Sequence, residues 1–127
     1  MAYSSYLDTA ILTWIKGTNM PAAPAAVYVA LYNGDPYGAG TEVTTTIRVA
    51  GRVAAPFGAI SSLTISNSGL VDFGNAAGSA TVSHFALFDA ASSGNMIGGA
   101  GITGGAQSIA TTNPTSFAIG ALTVTAS

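Results

Sequence analysis

The chain has 127 residues, 49% of them hydrophobic and 6% charged, and carries a net charge of −2. Soluble domains usually hold roughly 25% charged residues, so Ser, Thr, Asn, Gly and Ala must cover most of this exterior. Three cations cannot neutralise the phosphates that non-specific nucleic-acid binding requires, and this much apolar residue argues against disorder.

The length suits one domain over residues 1–127. No apolar run approaches the roughly 18 residues that cross a bilayer, so no membrane association is expected. The first residues lack a basic segment and an apolar core, so no signal peptide is read. Without cysteine there is no disulfide framework, thiol nucleophile or thiolate metal site.

In chain order, the first element is a helix over about 4–16. Leu7, Ala10, Ile11, Trp14 and Ile15 recur at helical spacing, Ser4 or Ser5 can cap the start, and Gly17 follows Lys16 as a stop. Pro21 and Pro24 then set an extended connector. The helix either packs over one end of the fold or stands off to meet a neighbour.

From Ala26 to Tyr32 the pattern alternates, with Val27, Val29 and Leu31 on one face and Tyr28 and Tyr32 on the other. Residues 33–36 form a turn before a glycine-rich stretch to Gly40. Further strands are expected at 44–49, 52–57, 63–66, 70–73, 81–89, 96–102, 107–111 and 116–125, the last with a bend at Gly120. Residues 92–95 read as a hairpin loop. Short strands at this spacing predict an all-β fold: a single β-sandwich, jelly-roll or Ig-like, of about eight strands with one N-terminal α-helix.

Chemistry is sparse. His84 is the sole histidine, and no nucleophile elbow accompanies it, so a Ser-His-Asp arrangement is not expected. The five acids are scattered singly, at turn and cap positions rather than as a catalytic pair. A calcium site from Asp35 and Glu42 lacks the usual loop pattern, and no metal or cofactor is expected. Residues 99–104 match G-x-G-x-x-G, but no helix follows to meet a pyrophosphate. Neither Asn67 nor Asn113 completes a glycosylation signal.

What remains is a surface fitted for contact. Arg48 and Arg52, scarce cations flanking residues 49–51, suit either pairs with Glu42 or Asp72 or salt bridges to another subunit. Trp14, Tyr28, Tyr32 and Tyr37 are core residues or interface anchors; Trp14 is expected in core or subunit packing, and Tyr37 as an exposed contact. These six are the candidate interface residues.

Several segments, taken in order, form a series: residues 6–12 (YLDTAIL), 24–36 (PAAVYVALYNGDP), 40–43 (GTEV), 52–59 (RVAAPFGA), 82–90 (VSHFALFDA), 94–101 and 116–124 (SFAIGALTV). The series resembles a family of small virion proteins of tailed bacteriophages, labelled tail-fibre-like or minor structural proteins. YVALYxxDP and HFxLFD are its most specific parts, and residues 49–52 depart from the Gly-Tyr-Ala-Arg stretch that relatives carry. The resemblance implies a virion part made in the host bacterial cytoplasm, not an enzyme. Its partners would be major capsid or tail proteins and further copies of itself. The chain shows no heptads or room for a long stalk, and its exterior is nearly uncharged. A capsid decoration (cement) protein is therefore expected, a trimer by likeness to other phage decoration proteins. The alternative is a tail-fibre, neck or baseplate-associated protein, with aromatic residues that could contact the host surface.

Overall fold

The computed structural model describes residues 2–126. A two-residue strand, β1 (Ala2–Tyr3), leads into α1 (Ser5–Ile15). Ser4 caps that helix: its Oγ accepts the Leu7 N–H at 3.2 Å, and Asp8 stands in the first turn, where the helix dipole favours a carboxylate. Gly17, at φ +93, ends it in the left-handed conformation that glycine adopts freely.

The chain continues through β2 (Val27–Asn33), β3 (Thr41–Glu42), a single turn α2 (Thr44–Ile47), β4 (Val53–Ala55), β5 (Thr64–Ser66) and β6 (Val71–Asn75). Then come β7 (Ala80–Val82), β8 (His84–Phe88), β9 (Met96–Gly101), β10 (Gln107–Ile109), β11 (Pro114–Phe117) and β12 (Thr123–Thr125). The fold is a mostly β sandwich with an N-terminal helix, as expected, but its strands are shorter and more numerous than the eight predicted.

One layer is an antiparallel sheet in the order β1-β9-β8-β2-β3, with β4 also paired to β2. Three two-stranded ribbons, β10–β7, β11–β6 and β12–β5, oppose it. Register sorts the side chains by the strand period of two. Val29 lies opposite Leu87 and Leu31 opposite Phe85, and these four meet Val71, Phe73, Ile47 and Leu122 in one buried cluster. Phe117 stacks edge-on to Phe73 and Phe85, with centroids 6.3 and 6.0 Å away. The opposite face of β2 and β8 carries Tyr28, Ala30, Tyr32, His84, Ala86 and Phe88. Burying each large apolar side chain contributes about 1.5–3 kcal/mol, so the cluster between the layers is the main stabilising element.

Three expectations are corrected. Residues 44–49 do not form a strand, despite their β-branched composition. The Thr44 hydroxyl accepts the Leu31 N–H at 2.9 Å, a side chain standing where a strand would place a carbonyl. The backbone turns once as α2, and Ile47 drops into the core. The segment 81–89 is one extended run serving two layers. Its corner is Ser83, whose N–H donates to the Tyr32 carbonyl at 2.9 Å while β7 and β8 join different sheets. The segment 116–125 likewise splits into the end of β11 and all of β12, because Gly120 at φ +81 turns the chain.

Candidate interaction surface

The α1 stripe is only half covered. Ala10 is buried and Leu7 and Ile11 are half-buried beside β9, while Leu12, Trp14 and Ile15 are 64%, 65% and 65% exposed. Trp14 belongs to the same stripe as Leu7 and Ala10 by helical spacing, yet the described residues leave most of it in water. It is therefore not a core residue of this chain. The helix overhangs the sandwich, and its last turn is apolar and open to water.

The connector then returns along α1. Between them lies a hollow of about 540 Å³ lined by Tyr6, Thr9, Ala10, Thr13, Met20 and Pro21, among others. A second hollow of about 350 Å³ opens beside Leu7, Ala10, Met20, Pro24 and Ile97, with little polar surface. The exposed tip thus lies on α1, and the hollow lies between α1 and the connector.

Arg52 is deeply engaged within the chain. Its Nε and Nη2 donate to the Glu42 Oε2 and Oε1 atoms at 3.0 and 2.9 Å, a bidentate fork. Nη1 donates to the Ala90 and Ser93 carbonyls at 3.1 and 2.8 Å, and the guanidinium lies 3.7 Å from the Phe88 ring centroid. Arg48 closes the adjoining turn by donating from Nη1 to the Gly51 and Arg52 carbonyls at 2.9 and 3.3 Å. The Thr44 hydroxyl completes the network by donating to Glu42 Oε2 at 2.6 Å. Of the two roles open to Arg52, the structure displays the pair with Glu42.

Burial alone would push the Glu42 carboxyl up, but hydrogen bonds from Arg52 and Thr44 and the Arg52 charge outweigh it and hold it below the ordinary value. A depressed folded-state pKa stabilises the protein above the unfolded pKa, and that contribution is lost as pH falls through the folded one. We expect the urea midpoint to drop as pH falls below about 4.3, the ordinary glutamate value. Glu42→Gln should be less stable at neutral pH and flatter on the acid side; an acid limb identical to wild type would refute this origin.

The tyrosines divide. Tyr28 and Tyr32 are half-buried on the outer sheet face, opposite Phe88 and His84. Burial, then the Glu42 charge, raises the Tyr32 pKa against the pull of Arg52. Tyr37 is exposed in part, but its Oη accepts the Gly99 N–H at 2.8 Å and so ties its loop to β9. Gly40 seals that loop: a Cβ there would lie 2.5 Å from the Asp35 carbonyl oxygen. Tyr32, Arg48 and Arg52 are thus brought into one neighbourhood, whereas Trp14 stands on α1 and Tyr37 on the loop before β3.

Two surface features escaped the reading of the sequence. Leu12 lies off the helical stripe, and its signal was an apolar residue on an otherwise polar side. Ile60 and Leu63, 76% and 68% exposed, flank a tight turn in which Ser62 and Leu63 adopt φ +51 and +61. A branched side chain in that region is uncommon and strained. The missing signal was a hairpin turn without glycine or asparagine.

Ser83 Oγ accepts the Gly34 N–H at 2.7 Å and lies 2.8 Å from His84 Nδ1, an arrangement that pins the turn after β2. Among the described residues no three His, Cys, Asp or Glu side chains gather as a metal site, and no helix is long and apolar enough to cross a membrane.

Over residues 2–125 the chain matches the family model described as Podophage GP4 fiber I protein gp80. No curated protein matches it.

Proposed function

The chain belongs to this podophage fibre-protein family, small structural components of tailed-phage virions, and from that premise we propose that it is a fibre subunit joined to its neighbours through α1. The observation that carries the proposal is the family match over nearly the whole chain. The uncovered apolar turn of α1, on a chain with so few charges, supports attachment there. In this reading the sandwich is a rigid body, and Tyr37 and the loop it anchors stay available on the surface.

Capsid decoration is the second reading. The weakly charged exterior that favours it serves binding across capsid subunits equally well, and binding only the assembled shell would stabilise it by mass action. Placement decides between the two. Copy counting by mass spectrometry on purified virions, with antibody labelling in the electron microscope, should give a few copies clustered at the tail. Copies on the order of hundreds spread over the head would replace the fibre reading with decoration. Absence from purified virions would remove both.

A further inference from the structure

We infer that the hollow beside the Glu42–Arg52 pair binds a neutral polyol, a saccharide ring that presents two adjacent hydroxyls. The site lies on the sandwich itself and holds for either placement of the chain in a virion.

The hollow measures about 280 Å³ and is bordered by residues 49–52 and 91–93, with Glu42 and Thr45. That is near the lower end of small-molecule sites, roughly 300–1,000 Å³, and suits one ring rather than several. Its chemistry follows from a count of hydrogen bonds. A guanidinium has five N–H donors, and a carboxylate has about four acceptor positions, two on each oxygen. Arg52 uses four of its donors: two on Glu42 and two on the Ala90 and Ser93 carbonyls. The fifth, on Nη2, has no acceptor among the described residues, although the side chain is only 8% exposed. Glu42 Oε2 is filled by Arg52 and Thr44, whereas Oε1 accepts from Nη2 alone.

One donor and one acceptor are therefore left over, on atoms 2.9 Å apart, in two residues that border the hollow. Two gauche hydroxyls on adjacent ring carbons have about that spacing, and each both donates and accepts. One hydroxyl oxygen takes the Nη2 hydrogen while its neighbour donates to Oε1.

The surroundings favour a neutral polyol over other ligands. Glu42 neutralises Arg52 and repels a carboxylate or phosphate from the same spot. Thr45, Ser92 and Ser93 add side-chain hydroxyls that bond to nothing among the described residues. Val49, 79% exposed, and Ala50 offer a small apolar surface to the C–H face of a ring. The walls are also set in advance. Arg52 is held by its four bonds and by Phe88. Ser93 at φ +54 precedes Gly94, where a Cβ would lie 2.6 Å from Asp89 Oδ1, so the loop after β8 is tightly folded. A site already in shape loses little entropy on binding.

The test is a titration of the isotope-labelled full-length chain by NMR at neutral pH, read at the Gly51, Ser92 and Ser93 amides and the Arg52 Nε–H. The probes are methyl mannopyranoside, methyl galactopyranoside and a vicinal cyclohexanediol, with cyclohexanol and acetate as controls. A glycoside and the diol should shift these signals saturably, with dissociation constants on the order of millimolar. Cyclohexanol and acetate should not. Thr45→Val with Ser92→Ala, both at exposed positions, should weaken glycoside binding at least about fivefold and leave the circular dichroism unchanged.

An equal response to cyclohexanol would make this an apolar hollow, and a response to acetate alone an anion site. No saturable shift with any probe up to roughly 100 mM, about a hundredfold above the expected constant, would leave the hollow to water. Undiminished binding by the double variant would put the glycoside elsewhere. Each of these four results overturns the proposal, and none bears on whether the chain is part of a virion.

Discussion

Arg52→Ala is expected to lower the unfolding free energy by about 3 kcal/mol, since removing one member of a buried pair strands the other. The Arg52 side chain is 8% exposed and that of Glu42 30%. Were both fully buried, the loss would be about 3–5 kcal/mol; water reaching Glu42 discounts the pair's share to about 2. The remainder comes from the Ala90 and Ser93 carbonyls, which lose a charged donor worth about 1 kcal/mol or more, and from the lost contact with Phe88. Arg52→Lys keeps the charge without the planar fork and should recover only part. Urea denaturation at neutral pH measures the difference. A loss under about 1 kcal/mol would reduce the pair to a solvent-screened surface contact.

That expectation shows how far local sequence patterns reach. The α1 stripe, the alternation of β2 and the HFALF run of β8 were legible because each shows its own period. The fate of residues 44–49 and the carbonyl contacts of Arg52 were not, because both depend on partners distant in the chain. Thr44 turns into α2 to satisfy Leu31, 13 residues earlier, and Arg52 reaches carbonyls 38 and 41 residues later. No propensity records such pairings. Trp14 shows another limit: its stripe was legible, but a stripe does not say where the surface beneath it ends. Where intrachain cover stops is a property of the sheet, and the exposed tip marks that place.

Asn67→Ala is expected to cost about 4 kcal/mol, although nothing in the sequence distinguishes Asn67 from an ordinary turn residue. It is 1% exposed and fastens two loops. Nδ2 donates to the Gly69 and Ala118 carbonyls, and Oδ1 accepts the Leu122 N–H, each at 2.9 Å. Its backbone N–H and carbonyl also engage Leu122 and Gly120, so this one residue replaces a stretch of sheet between β5 and the turn before β12. Truncation to alanine removes three side-chain bonds worth about 1 kcal/mol each and leaves the Leu122 N–H buried without an acceptor, a penalty of about 1–3 kcal/mol. Leu122 is itself 1% exposed in the central cluster, so loosening its loop also weakens the core. Asn67→Asp sharpens the test. It keeps the acceptor for Leu122 but aims a carboxylate at two carbonyls, so it should be at least as destabilising at neutral pH and partly relieved in acid, where a protonated carboxyl donates again. Denaturant midpoints for both variants, at neutral and acid pH, decide the matter. If alanine costs under about 1 kcal/mol, the 118–122 turn is held by burial of Leu122 and not by the amide.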